Sequence, residues 1–440
     1  MKKQWKAVFL VGILFVSCQS INAIQATEIE KIIRDISEGN VEAILRKLET
    51  FQTRHVFSSD KEGFGIMASA AWIHEKFSGA NTRLDVFFDD YDLPSQGGRL
   101  NRDITLRNVV AVLPGQRTGE EERIFLVNAH YDTFARAAGG QSSRGSFDNL
   151  APGVNDDGSG VAALIEMARV FGSYKFDATV YFAAFSGEEV GLIGSTLMAE
   201  RLKEEGKNIN GVITLDMIGN IEGGNGLVDN TRMRVFSDGP ADSPSRQLAR
   251  YAKKIGEQYF PSAEIDCIFR ADRFGRGGDH TPFVLEGWAG IRMMEANENY
   301  SRQHTVADTF ENMSIEYCTR NIRIVASVLA SLASAPPAPN LTSERGRTLL
   351  GRGESGYDAQ LRWNPVSAEN LAGYKVYWRK TSAPFWEHEI LVGKTTEYTL
   401  KKVTIDEFVF GVCAVDGDGN ESLISAYTMA PRTKRTYTIK

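Results

Sequence analysis

The run Ile124-Phe125-Leu126-Val127-Asn128-Ala129-His130-Tyr131-Asp132 decides the fold. Its first six residues are almost wholly apolar and rich in β-branched and aromatic types, which reads as a buried strand. The strand stops at an imidazole, with a carboxylate two residues on that is placed to orient it. The same texture returns at Asn108 to Val112, Ala178 to Phe185, Gly211 to Leu215 and Met233 to Ser237. Helical stretches lie between these runs. Val161, Leu164, Ile165 and Ala168 share one face, and Cys318, Ile322, Val325, Leu329 and Leu332 recur at steps of four and three. From about Thr27 to Ser78 the pattern is helical as well, with Ile29, Ile32, Ile33 and Ile36 among polar residues. Alternation of this kind predicts an α/β fold, a mixed central sheet flanked by helices.

That pattern stops at Ala335-Pro336-Pro337-Ala338-Pro339, where no helix or central strand continues through three prolines. The first domain is therefore placed at 27–335, a Pro-rich linker at 336–350 and a second domain at 351–440. Past the linker the period becomes two: Leu361 with Trp363, then Tyr374, Val376 and Trp378, then Phe408, Phe410, Val412 and Ala414. A small all-β sandwich follows from that spacing. Trp363, the Gly373 to Tyr377 strand and the Val415 to Ser422 strand end resemble a fibronectin type III module, for which a spacer is the default role. Trp378, Phe385 and Trp386 read equally as core or as exposed singles.

The chain opens with Lys2, Lys3 and Lys6, an apolar run from Ala7 to Val16, and small and polar residues, the layout of a secretory signal over 1–23. Cys18 after Leu14-Phe15-Val16-Ser17 resembles a loose bacterial lipoprotein box, in which that cysteine is lipidated; cleavage near Ala23 or Ala26 is the other reading. Either way the protein is expected to be exported: periplasmic, secreted or a lipoprotein of the cell envelope. No later run reaches the roughly twenty apolar residues of a membrane helix, so no transmembrane span is expected and any tether sits at Cys18. The 50 basic and 56 acidic side chains leave a net charge of -6 with no long Lys/Arg block, which argues against a nucleic-acid partner. Four cysteines are too few to staple 440 residues, so Cys267 and Cys318 are expected as thiols and stability as core burial.

The chemistry-bearing residues fall where apolar strands stop, the place where an open α/β sheet presents its ligand sites. After His130-Tyr131-Asp132 comes Gly153-Val154-Asn155-Asp156-Asp157-Gly158-Ser159-Gly160, a Gly-rich turn carrying paired carboxylates just before a helix. Ser186-Gly187-Glu188-Glu189 follows the Ala178 to Phe185 strand, Asp216 ends the Val212 to Leu215 strand, and His304-Thr305-Val306-Ala307-Asp308-Thr309 lies far downstream. Singly, each has a bland reading: Asp-Asp-Gly is a turn, Glu-Glu a helix start, a lone histidine a satisfied surface or core residue. Jointly they do not, because two of only six histidines join three acidic sites in succession. His, Asp and Glu without Cys point to a divalent metal of the zinc kind. Two histidines and three carboxylates exceed what one catalytic zinc takes, so two metals sharing a carboxylate fit better. If Asp156 is shared, each ion receives one histidine, one terminal carboxylate and half of the bridge. Glu188 is then left over beside activated water, where a free carboxylate acts as general base.

These motifs, from about Arg107 to Leu332, resemble the co-catalytic di-zinc peptidases that include bacterial leucyl aminopeptidase, aminopeptidase S and, more distantly, glutamate carboxypeptidase and the transferrin receptor. The resemblance implies a zinc-exopeptidase fold, two Zn2+ ions and peptide substrates. It makes His130 and Asp216 ligands of one zinc, Glu189 and His304 ligands of the other, Asp156 the bridge and Glu188 the general base. Asp132 matches the carboxylate that holds the first histidine, and Asp156-Asp157 the position of a cis peptide. Gly278-Asp279-His280-Thr281-Pro282-Phe283 is similar to the family's Ser-Asp-His-x-Pro-Phe stretch, with Gly278 in place of serine. Asp279 and His280 become candidate substrate residues on that ground, and Tyr300 is the nearest candidate for an oxyanion-stabilising tyrosine.

Arg270, Arg273, Arg276 and Arg292 crowd the region between the last two motifs, which reads either as a pocket for a carboxylate or as a solvated basic face. Glu295, Glu298 and Asp242 are candidates to receive a substrate amine. The expected activity is an exported metallo-aminopeptidase. Glutaminyl cyclase or carboxypeptidase chemistry on the same scaffold is the alternative, and a non-catalytic binding protein the third reading. The Asp156-Asp157 pair with Ser159-Gly160 looks more like the aminopeptidases, and no ligand position is lost.

Overall fold

The computed structural model describes residues 28–135, 147–273 and 275–428; the expected signal segment over 1–23, with Cys18, lies outside them. The chain divides into two compact units, 1–335 and 336–440. The larger unit is built on an eight-stranded mixed sheet in the order β1-β2-β4-β3-β5-β8-β6-β7. Its strands are β1 (Asp85–Leu93), β2 (Ile104–Leu113), β3 (Ile124–His130), β4 (Thr179–Phe185), β5 (Ile209–Leu215), β6 (Arg232–Ser237), β7 (Glu264–Ile268) and β8 (Gly290–Glu295). Besides a helical run that ends at residue 35, the helices are α1 (Glu38–Glu49), α2 (Gly65–Ala80), α3 (Gly158–Phe171), α4 (Ile193–Glu204), α5 (Pro244–Tyr259), α6 (His280–Leu285) and α7 (Ile315–Ser334).

The centre of the sheet is parallel: β3 pairs with β4 and β5, and β5 with β8. The pairing puts His130 opposite Phe185 and Asn128 opposite Thr214, so the C-terminal ends of β3, β4 and β5 finish side by side. Every residue of β3 and β4 is buried, which is why these strands read as continuous apolar runs. Ile124 and Leu126 face a core with Val110, Tyr181, Val212, Met198 and Phe283. The alternate residues Phe125, Val127 and Ala129 point the other way, where α3 and α7 pack on β3. Burial of each such side chain contributes about 1.5–3 kcal/mol, enough to fix the register that aligns the strand ends.

The amphipathic pattern over 315–334 forms one helix, while that over 27–78 is interrupted: α1 and α2 flank turns at 51–64. Strands β1, β7 and β8 escaped the sequence reading. The first two carry many charged residues, and β8 is a short buried run interrupted by Arg292. The smaller unit holds a three-stranded and a four-stranded antiparallel sheet around Leu361, Trp363, Tyr374, Val376, Phe410 and Val412. Leu341, within the expected linker, is buried in that core, and Leu350 packs against it. Trp378 is partly buried and stacks on His388, while Trp386 packs against Tyr377. Cys267 and Cys318 are thiols. No helix among the described residues is long and apolar enough to cross a membrane.

Candidate metal centre

Each of the three aligned strand ends delivers polar groups to one place. His130 is the last residue of β3, Glu188 and Glu189 follow β4, and Asp216 follows β5. Asp156 comes from the turn before α3 and His304 from the loop that leads to α7. The two oxygens of Asp156 face different imidazoles: Oδ1 lies 3.2 Å from His130 Nε2, and Oδ2 lies 3.0 Å from His304 Nε2. Asp216 Oδ1 is 3.9 Å from His130 Nε2, and Glu189 Oε1 is 2.9 Å from His304 Nε2. Single donor atoms of His130, Asp156 and Asp216 thus lie within 4.8 Å of one another, as do those of Asp156, Glu189 and His304. The two triads share one carboxylate, that of Asp156.

Burial opposes charge on both imidazoles, yet the carboxylates overrule it. Asp156 and Glu189 push His304 up to about 11, and Asp156 with Asp216 holds His130 well above its ordinary value. Conversely, the two imidazoles keep Asp156 well below the usual carboxylate range in spite of its burial. Glu189 Oε1 is buried and has His304 Nε2 at 2.9 Å as its polar neighbour. A cluster of oxygen and imidazole acceptors that draws protons this strongly is a donor set suited to divalent cations. Glu188 belongs to neither triad and stands half-buried on the wall of the adjoining cavity. Burial and the nearby Glu189, Asp216 and Asp279 hold its proton well above the ordinary glutamate range, with His130 pulling the other way.

The supporting groups are where the sequence reading falls short. Asp132 was expected to hold His130 by its carboxylate. The His130 Nδ1 instead meets the Asp132 backbone oxygen at 3.1 Å, and the nearer carboxylate oxygen is 3.8 Å away. The Asp132 carboxylate accepts from three successive backbone amides, Gly187 at 2.9 Å, Glu188 at 3.1 Å and Glu189 at 3.2 Å. It therefore fixes the loop that presents Glu188 and Glu189. Asp157 caps α3 by accepting from Gly160 N, and it also accepts from His130 N and Met217 N, tying β3 and β5 to the helix start. A Cβ on Gly160 would sit 2.4 Å from that carboxylate and 2.7 Å from the Ala129 Cβ, so only glycine fits there. The Asp156-Asp157 peptide is cis. Met217 (φ 58°) and His304 (φ 57°) adopt left-handed backbone, a cost of about 1–3 kcal/mol each that the surrounding bonds must offset.

Two further residues were missed. Arg54, wholly buried, donates to the backbone oxygens of Tyr131, Pro152 and Gly153 and so joins the end of β3 to the Asp156 turn. No local pattern around Gln52-Thr53-Arg54 announces this. Asp308 accepts from Asn155 N at 2.8 Å and Asp156 N at 3.0 Å. Its place four residues after His304, in the same quoted motif, was the available signal. Removing both acceptors in Asp308→Ala leaves two buried amides unpaired, and we expect a loss of about 3 kcal/mol in chemical denaturation. Metal affinity should fall about 10–100-fold by titration. A folded variant with undiminished metal affinity would remove Asp308 from the support of Asp156.

The cavity beside the triads encloses about 240 Å³. Arg276 lines it, as do Arg99 and Arg292, whereas Tyr300 does not. The Tyr300 hydroxyl is engaged by Arg273 and Arg276 and donates to Glu298. Asp279 and His280 are buried behind the wall: Asp279 accepts from Ser195 Oγ at 2.5 Å, and burial pushes His280 down to about 3. Glu295 is buried and accepts from Asn155 Nδ2 and Asn220 N; Glu298 receives Arg234, Arg273 and Arg276. Neither of them lines the cavity, nor does Asp242.

Comparison with known proteins places this arrangement. Residues 108–329 match the model of peptidase family M28. A probable zinc metalloprotease of Pyrenophora tritici-repentis (strain Pt-1C-BFP) is 32% identical over 430 residues, 90% of this chain and 96% of the relative. Among solved structures, the LapA aminopeptidase of Legionella pneumophila is similar with a TM-score of 0.54 at 23% identity, over 70% of this chain and 75% of that one. A glutaminyl cyclase of Fimbriiglobus ruber is similar with a TM-score of 0.50 at 17% identity, over 67% and 95%.

Proposed function

The chain belongs to peptidase family M28, and from that premise we propose that it is an exported two-zinc aminopeptidase that removes single residues from peptide N-termini. The observation that carries the reading is the position of Asp156, whose two oxygens address two separate imidazole-carboxylate pairs. His130 and Asp216 would hold one ion, Glu189 and His304 the other, with Asp156 between them. Two such ions, when bound, polarise a peptide carbonyl and lower the pKa of water. Glu188, outside both ligand sets and on the cavity wall, takes the proton of the attacking water on its carboxylate and returns it to the departing amine. Asp132 keeps that carboxylate in place by holding the amides of Gly187, Glu188 and Glu189.

A cavity of about 240 Å³ suits one terminal residue, being smaller than the roughly 300–1,000 Å³ of drug-sized ligand sites. The fold it shares with a cyclase and an aminopeptidase does not separate those activities. The Asp156-Asp157 pair with Ser159 and Gly160 favours the peptidase. The unit at 336–440, with its three-stranded and four-stranded sheets, we read as a fibronectin type III-like spacer. The basic and apolar N-terminal run directs export, with Cys18 lipidated or removed.

The decisive assay offers the purified protein matched peptides with free, N-acetylated and glutamine N-termini, with and without chelator. Free N-termini should be trimmed and blocked ones spared, and chelation should lower the rate at least about 100-fold. Pyroglutamate formation in place of trimming would establish the cyclase instead.

A further inference from the structure

The cavity wall that adjoins the ligand triads is cationic, and no step of the proposed hydrolysis uses its guanidinium groups. Arg99, Arg276 and Arg292 all line it, beside Leu192 and Gln303. Their partners differ. Arg292, 1% exposed, donates to Asp272 Oδ2 at 2.5 Å and to Gly277 O at 2.7 Å, and reaches Asp216 Oδ2 at 3.3 Å. Arg276 contacts Glu298 at 2.8 Å and Asp272 at 3.7 Å, but Glu298 also receives Arg234 and Arg273 and Asp272 also receives Arg292, so two carboxylates serve four guanidinium groups. Arg99 is exposed on the loop between β1 and β2. It donates to the Glu189 backbone oxygen at 2.9 Å, and among the described residues no carboxylate pairs with it. With the ligand carboxylates committed to cations, positive charge remains in excess on this wall.

Gly278 makes the wall possible. A Cβ there would stand 2.9 Å from Arg292 Cδ and 3.5 Å from Arg292 Nη1. Glycine at 278, where the motif it resembles has serine, leaves room for the Arg292 side chain to lie along the cavity. Guanidinium groups match carboxylates in shape and charge, and pairs of this kind are strongest where water is scarce.

We infer that this wall, through Arg99 and Arg276 with Arg292 behind them, binds a carboxylate of the peptide substrate and makes the enzyme selective for anionic peptides. The inference rests on the peptidase reading above. The carboxylate comes either from the side chain of an N-terminal Glu or Asp or from the free C-terminus of a very short peptide. Isosteric pairs separate these sources: Glu- against Gln-peptides, both C-terminally amidated, and Leu-Gly against Leu-Gly-amide.

For one pair, kcat/KM of the carboxylate member should exceed that of its amide partner by about tenfold or more, carried mainly by KM. Arg276→Gln should bring that ratio to within about threefold. Because Arg276 also holds the buried Glu298, Arg99→Gln, on an exposed loop, provides the second variant and should narrow the same ratio. A Glu preference assigns the side chain as the source, a Leu-Gly preference the terminal carboxylate. Ratios near one for both pairs, or ratios untouched by both variants, would overturn the inference. Should no peptide be turned over, the peptidase reading fails by itself. Calorimetric binding of the same four peptides to the wild-type and Arg99→Gln proteins then decides the carboxylate site, and equal affinities within both pairs reject it.

Discussion

Glu188→Gln is expected to keep its full metal content and to lose turnover by about 10²–10⁴-fold, with the change in kcat. The two halves of that result have separate origins. Metal is retained because Glu188 gives no atom to either donor triad and because glutamine has nearly the same size. Its loop position is unchanged as well, since Asp132 grips the backbone amides of residues 187–189 and not their side chains. Turnover is lost because an amide cannot accept the proton of water. The measurements are elemental analysis of the dialysed protein and steady-state kinetics on a free N-terminal peptide. Near-normal kcat with normal metal content would take Glu188 out of the reaction.

Asp156→Asn should act in the opposite order, with the metals lost first and the activity as a consequence. Asparagine replaces one of the two oxygens by an N–H donor. Since Oδ1 and Oδ2 each face one imidazole, whichever way the amide turns, one of the triads loses its acceptor and meets a donor. The other triad keeps a neutral oxygen in place of a charged one. Metal affinity should drop by at least about 100-fold, beyond the range found for outer partners alone. The variant should also lose the rise in melting temperature that added zinc gives the wild-type protein. The backbone frame persists, because Asp308 holds the amides of Asn155 and Asp156 independently of the side chain. Two ions retained after dialysis would show that Asp156 is not shared between them.

The contrast between Asp156 and Asp157 shows how far local reading goes. In sequence the two are adjacent carboxylates in one turn. In space Asp156 is turned toward the histidines, while Asp157 caps α3 and clasps His130 N and Met217 N. The family resemblance separated their roles; spacing alone did not. Tyr300 illustrates the opposite error: an aromatic hydroxyl near the right motif, yet held by Arg273, Arg276 and Glu298 and absent from the cavity wall.

Strands β2 to β6, helices α3 and α7 and the end of the alternation at the prolines were legible because strand and helix periods and the missing proline N–H act over a few residues. The donor types were legible too, because His, Asp and Glu standing where apolar strands stop is a local coincidence that needs no coordinates. Tertiary structure alone decided which oxygen meets which imidazole, that Asp132 holds amides, and that Arg54 and Asp308 brace the turn. It also decided that Arg99, Arg276 and Arg292 share one cavity. The physical reason is separation along the chain: Asp308 and Asp156 stand 152 residues apart, and Arg54 and Gly153 99 apart. Contacts over such distances exist only once the parallel register of β3, β4 and β5 has brought their ends together, and nothing in the residues near each partner encodes the meeting.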